Sequence, residues 1–264
     1  MGHMELTDEA PDSDLTGPPG GGPDVSFLHG RMEGVLDEPL PRGQHDLPRQ
    51  FVLQHQRTRI MEAMGHVLHE VGYLDLTVAD VVKRARVSRR TFYEHFDDKG
   101  HCFTATYGAS VECIADAMRD AYANGDAWED RAAAVFSTLM RLMVEFPATG
   151  YVCFVQSGIA GREAERCRTA AVRMSAASFA AMMADGGPDT QITPLQSELA
   201  VGALCELVRA RIAEGREQDL VDHLPETITD VLIGLVGAER ARDVAGRVAA
   251  PANAETAKQR TAAP

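Results

Sequence analysis

The chain has 264 residues, 45% of them hydrophobic, and a net charge of −13, enough length and apolar content for one large or two small domains with buried cores. Its apolar runs are short and broken by charge, far from the ~18 continuous residues of a membrane span, so no membrane partner is expected. Five scattered cysteines without a CxxC pair (Cys102, Cys113, Cys153, Cys167 and Cys205) fit reduced, buried thiols in a cytoplasmic protein and speak against a disulfide framework.

Residues 1–48 carry ten acids and two bases, include the run Pro18-Pro19-Gly20-Gly21-Gly22-Pro23, and show no helical or strand period. They read as a disordered acidic tail. Met1-Gly2-His3-Met4 reads as an expression scar, and the stretch after it lacks the basic-then-apolar plan of a signal peptide, so export is not expected. The first helix is marked by Ile60, Met64, Val67, Leu68 and Val71 on one face, with Gly72 as its stop. Thr77 then caps a short second helix, with Asp80 as the capping-box partner and Val78, Val81, Val82 and Ala85 facing inward. A tight connection through Arg86-Val87 reaches Ser88, the N-cap of a third helix whose buried side is Phe92 and Phe96. Asp97 or Asp98 caps a long fourth helix.

Beyond residue 100 the pattern stays helical, with breaks near Asn124-Gly125, Pro147, Gly158 to Gly161, Gly186-Gly187-Pro188, Gly215 and Pro225 and no strand alternation. About nine helices are expected in an all-α fold. The divisions are a tail over 1–48, a small helical domain over 49–103, a larger helical domain over 104–242 and a flexible tail over 243–264.

The overall negative charge argues against nucleic acid, but its distribution does not. Residues 49–100 hold nine bases and seven acids, and Lys83, Arg84, Arg86, Arg89 and Arg90 fall within eight residues. That cluster lies on the second and third helices, which together make a helix-turn-helix. Arg89 and Arg90 occupy the first turn of a helix, where positive charge opposes the macrodipole by ~0.3–1 kcal/mol each. An anionic partner offsets such a placement. Lys99 repeats it at the start of the fourth helix, where free backbone N–H groups suit a phosphate.

The run from Gly72-Tyr73 through Leu76-Thr77-Val78-Ala79-Asp80-Val81-Val82, then Ala85-Arg86-Val87-Ser88-Arg89-Arg90-Thr91-Phe92-Tyr93-Glu94-His95-Phe96-Asp97-Asp98-Lys99, resembles the signature of TetR-family regulators. The resemblance is strong over about residues 55–105, while the remainder is similar in its length and helical pattern. It implies a three-helix DNA-binding domain followed by a helical ligand-binding and dimerisation domain. It also implies operator DNA, a small-molecule effector and a second copy of the chain as partners, with no cofactor. By the same resemblance Arg89, Arg90 and Thr91 face bases or nearby phosphates, Tyr93, His95 and Lys99 grip the backbone, and Thr77 touches phosphate. Ser88 caps the reading helix and is counted with that surface; for Thr77 and Ser88 capping and phosphate contact stand as alternatives. One position departs from the pattern: Arg86 stands where the family commonly has glycine.

Large apolar side chains recur on the later segments. Phe136, Met140, Met143, Phe154, Met174 and Phe179 are the candidate lining of an effector pocket, with methionines suited to irregular ligands. Tyr151, Cys153, Phe154 and Gln156 lie on the short segment that, by resemblance, transmits effector binding to the DNA domain. Leu199, Ala203, Leu207 and Arg211, then Ile228, Val231, Leu232, Leu235 and Val236, suit either pairing with another subunit or the chain's own core. No Gly-rich phosphate loop, GxSxG or HExxH is found, so no catalytic residue is assigned. His66 and His69 are three apart on one helix, but no third metal ligand accompanies them. The reading is a repressor released by a hydrophobic effector; an activator or an effector-independent DNA-binding adaptor has the same helix-turn-helix.

Overall fold

The computed structural model describes residues 49–248, and the tail read over 1–48 lies outside them, as do residues 249–264. Among the described residues every regular element is helical. Helix α1 (Arg49–Asp75) packs Ile60, Met64, Val67 and Leu68 into the core as their spacing predicts, whereas Val71 is exposed. Gly72 breaks this helix as expected, and one further turn follows it. The break lies at φ 75° and ψ 167°, and the chain resumes with Leu76 N–H donating to Gly72 O at 3.1 Å. Helix α2 (Val78–Ala85) starts on the capping box of Thr77 and Asp80, and α3 (Arg89–His95) starts on Ser88, whose hydroxyl accepts from Thr91 N. Of the two aspartates offered for the next cap it is Asp98 that starts α4 (Lys99–Ala123), accepting from His101 N at 2.8 Å. Phe92 and Phe96 are fully buried between these helices. Helix α4 runs through the boundary expected at 103/104, so it belongs to both halves of the molecule.

The larger domain continues with α5 (Trp128–Glu145), a short α6 (Pro147–Gly150) and a π-helical turn over Tyr151–Gln156. Helices α7 (Arg162–Asp185), α8 (Pro194–Ala213), α9 (Gln218–Asp222) and α10 (Leu224–Val236) come next. A last helix, α11, covers residues 238–248. The expectation of a flexible tail from residue 243 is therefore corrected for 243–248. Ala241 and Val244 are fully buried, Arg240 lies 4.5 Å over the Trp128 ring and pairs with Glu129, and Arg247 pairs with Asp130 at 2.5 Å. These two arginines fasten α11 to the start of α5, and Trp128 in turn donates to Met182 O at 2.7 Å on α7. The expected number of helices fell short because α6, α9 and α11 escape a reading based on long amphipathic runs.

The π-helical turn packs on α1, α4, α6 and α8, and so joins the N-terminal helices to the larger domain. Its Gln156 is buried and accepts from Tyr73 N at 2.8 Å, one residue past the Gly72 kink.

Candidate nucleic-acid interface

The basic cluster divides by exposure. Lys83, Arg86, Arg89 and Arg90 are exposed, whereas Arg84 is half-buried in an ion pair with Glu70. Arg89 and Arg90 occupy the first turn of α3, which has no acidic residue to offset them. The Arg90 side chain is 90% exposed and pairs only with Glu94 one turn on, at 3.1 Å. Tyr93 is 57% exposed, and its ring stands edge-on to buried Phe92 at 5.4 Å. A buried aromatic thus packs edge-on against a tyrosine that is more than half exposed. Thr91 is half-buried, and its hydroxyl lies 2.9 Å from the Ser88 hydroxyl, so both are engaged at the cap. Thr77 bonds to the Asp80 carboxylate at 2.6 Å, and that hydrogen bond holds the Asp80 carboxyl below the usual carboxylate range. One outward face therefore carries Arg89, Arg90 and Tyr93, with the Thr77 and Ser88 caps at its edges.

Two expected contacts sit elsewhere. The Lys99 ammonium donates to Tyr73 O and Leu76 O, at 3.0 Å each, and lies 4.6 Å over the Tyr73 ring. It closes the end of α1, so its first role is to hold the α1–α2 junction. His95 is half-buried against α1, with Nε2 3.5 Å from Gln56 Oε1, and its carbonyl accepts from Arg57. Burial, and then the Arg57 charge, lower the His95 pKa and keep the ring neutral.

The turn between the reading helices answers the departure seen in the sequence. Arg86 is in the left-handed region, at φ 53° and ψ 42°. Its N–H donates to Lys83 O, and Val87 N–H reaches back to Val82 O at 3.1 Å. That pair of bonds is the helix-ending motif in which glycine is favoured, and a Cβ there is strained by ~1–2 kcal/mol.

In the larger domain Phe136, Met140 and Met143 are buried on α5, while Phe154 and Phe179 are half-buried against the same core. Met174 is not with them: it is 60% exposed. The partner of α7 at this level is α8, which meets it at Ala176, where Ser197 Oγ donates to the Ala176 carbonyl at 2.9 Å, and Met174 is left on the solvent side. The inward group that the sequence reading missed is Tyr107 on α4. It is buried, stacked on Phe103, and within electrostatic reach of Cys153, Arg168, Cys167 and Cys205. A tyrosine inside a long helix carries no local signal for such a role. No disulfide joins any of the five cysteines, and burial raises every thiol, that of Cys102 to about 12, which disfavours the thiolate.

Among the described residues no group of three or more His, Cys, Asp or Glu could hold a metal ion, and His69 packs instead against the Tyr151 ring at 5.3 Å. No described helix is long and apolar enough to cross a membrane.

Residues 60–106 match the model for the bacterial regulatory proteins of the tetR family. No curated protein sequence matches the chain. Among solved structures it is similar to the fatty acid degradation regulator FadR from Bacillus halodurans, with TM-score 0.62 and 16% identity over 68% of this chain and 96% of that one. It is also similar to FadR from Bacillus subtilis, solved in complex with stearoyl-CoA (TM-score 0.59, 17% identity, 68% and 97% covered). A third is a TetR-family transcriptional regulator from Streptomyces coelicolor (TM-score 0.56, 15% identity, 73% and 98% covered). The match to the tetR-family model thus covers the helix-turn-helix within α1–α4, and the helical fold behind it is similar to that of solved TetR-family transcriptional regulators.

Proposed function

We propose that the protein is a homodimeric repressor whose α3 helices read a palindromic operator in successive major grooves and which leaves that operator when a hydrophobic small molecule enters the larger domain. The observation that carries the reading is the first turn of α3: two exposed arginines oppose the helix dipole, and an exposed tyrosine stands beside them, edge-on to a buried aromatic. Phosphates and base edges offset that charge. Arg89, Arg90, Thr91 and Tyr93 form the reading surface, with Thr77 and Ser88 at its rim, while His95 and Lys99 hold the helices that present it.

The effector site lies among Phe136, Met140, Met143, Phe154 and Phe179, extended by Tyr107, and excludes Met174. The Bacillus subtilis relative in complex with stearoyl-CoA makes long acyl chains the first class to test. A second copy covers α8 and α10, where Leu199, 64% exposed, lies beside Gly202 and Ala203, which permit close helix approach.

The test is to select duplexes from a random pool with the purified protein. Electrophoretic shift on the selected duplex is then measured, with and without acyl-CoA thioesters, fatty acids and a panel of hydrophobic metabolites. The reading expects a palindrome, steep loss of affinity with salt, and release by at least one class of ligand. Compounds that raise the melting temperature without changing the shift overturn the effector half of the proposal, and failure to enrich any duplex overturns the operator half.

A further inference from the structure

Inside the DNA-binding domain, Arg59 and Glu62 are buried ionisable side chains used by nothing described so far. They lie one turn apart on α1, and Glu62 is only 2% exposed. The Arg59 guanidinium donates to Ala85 O at 2.6 Å, a buried bond. Ala85 is the last residue of α2, and Arg86 follows it in the strained left-handed conformation that turns the chain into α3. A cation on the last carbonyl of a helix has the favourable sign for the helix dipole. Here it also grips the backbone immediately before the strained residue, and a conformation of that kind persists only where its surroundings over-determine it. The turn into α3 is thus tied to α1 at its start through the Arg59 guanidinium, as the far end of α3 is through Arg57.

Glu62 competes for that guanidinium. Neither of its carboxyl oxygens has a hydrogen-bond partner among the described residues, and Arg59 Nε is likewise unsatisfied. We infer that Arg59 is a positioning residue for the reading helix and that the proton on Glu62 is what leaves Arg59 committed to Ala85 O. Burial pushes the Glu62 carboxyl up to about 8, so at neutral pH it is the protonated acid and makes no charge claim on Arg59. Once ionised, it lies within one helical turn of a buried cation and draws the guanidinium away from α2. Arg59 is the one described charge acting on Glu62, and Arg86, at the end of α2, is the other charge acting on Arg59. On the α3 and α4 side, Cys102 and His95 face Arg57 instead. On the π-turn side Tyr151 faces His69. Along α1 itself His55 stands one turn before Arg59 and His66 one turn after Glu62; burial and the Arg57 charge lower the His95 pKa, whereas that of Glu62, about 8, lies within the window of the titration.

This inference rests on the DNA-reading role proposed above, and the experiment separates the two. The full chain is titrated, at constant ionic strength and at pH 7, 8 and 9, against a duplex it has selected at pH 7 and against a scrambled duplex. The readout is the ratio of the two affinities, which general destabilisation or charge screening moves little. If only the protonated form reads, the protonated fraction falls from about nine-tenths at pH 7 to about one-tenth at pH 9, so the ratio falls by up to about tenfold. Glu62→Gln, the neutral isostere, should keep the ratio flat across that range. Arg59→Met should lower the ratio at every pH and abolish its pH dependence, with Arg59→Lys restoring some of it. A parent ratio that does not change with pH, or a Glu62→Gln profile that follows the parent's, overturns the inference even if Arg59→Met does not fold. If no duplex is selected at pH 7, the DNA-reading role fails first and takes this one with it.

Discussion

The junction at Gly72 offers a double-mutant test of how the DNA-binding domain is joined to the larger one. At φ 75° and ψ 167° Gly72 lies in a region that is essentially closed to other residues, at ~1–3 kcal/mol for a side chain held there. A Cβ at this position meets nothing closer than the Gln156 amide at 3.9 Å, so the penalty of Gly72→Ala is conformational and not a clash. The chain can escape it by rotating the backbone, but that swings Tyr73 N away from Gln156 Oε1, 2.8 Å distant. Gln156→Leu removes the acceptor and leaves a backbone N–H unsatisfied, which costs ~1–3 kcal/mol. If Gly72 exists to aim that N–H, the double variant should fall short of the sum of the singles by ~1 kcal/mol or more. Urea unfolding followed by helical dichroism and by the fluorescence of Trp128, the single tryptophan, measures the cycle. Single effects under ~0.5 kcal/mol, or additivity within ~0.5 kcal/mol, would refute the reasoning.

Four further outcomes are expected. Arg90→Ala should weaken binding to the selected duplex by ~1–3 kcal/mol more than to scrambled DNA, as for a bidentate base contact; equal losses on both make it a phosphate contact. Lys99→Met should lower stability by ~1–3 kcal/mol because Tyr73 O and Leu76 O lose their donor, seen as a drop in melting temperature; a fully stable variant with only a flatter salt dependence would return Lys99 to the DNA surface. Arg86→Gly should stabilise by up to ~1 kcal/mol, the relieved left-handed strain less the added freedom of the unfolded chain, and a loss of stability counts against that account. Glu62 sets a slope of stability with pH: its folded-state pKa is raised by burial from 4.5 to about 8, so the folded state holds the proton that the unfolded chain releases. Stability should therefore fall by on the order of a few kcal/mol between pH 4.5 and 8 and level off above, and Glu62→Gln should remove that slope.

The start and stop signals of the DNA-binding domain were legible because capping is local. Thr77 with Asp80, and Ser88 with Thr91, satisfy backbone groups within three residues of themselves, so a sequence pattern is enough to find them. Arg86 was legible as a departure only against the family pattern, which commonly has glycine there, and the structure supplies the reason in its left-handed φ of 53° at the end of α2. Lys99 was not. Its place at a helix start points to an anion, yet its four-carbon stem carries the ammonium to carbonyls 23 and 26 residues earlier, which no local pattern encodes. Arg59 and Glu62 carry no local signal of burial either: Arg59 is held through the carbonyl of Ala85, 26 residues on, and both are enclosed only by the packed helices.

In the larger domain the difficulty lies in helices that are apolar on more than one side. Helix α8 buries Val208 and Ile212 in its own chain while Leu195 and Leu199 stand exposed, and α10 likewise buries Ile228 and Leu232 and exposes Ile233. Periodicity reports that a helix is apolar, not which of two faces meets the monomer's core, so own-core packing and subunit pairing could not be separated in the sequence. The structure assigns the first face to the core. The second remains as apolar surface on neighbouring helices, α8 and α10 being in contact with each other. Burying a leucine side chain gains ~1.5–3 kcal/mol over leaving it in water, so Leu195, Leu199 and Ile233 together supply a drive for association that one isolated exposed residue does not. That drive, acting between identical faces, favours a two-fold pair, and light scattering on the Leu199→Asp variant should show a smaller species than the parent.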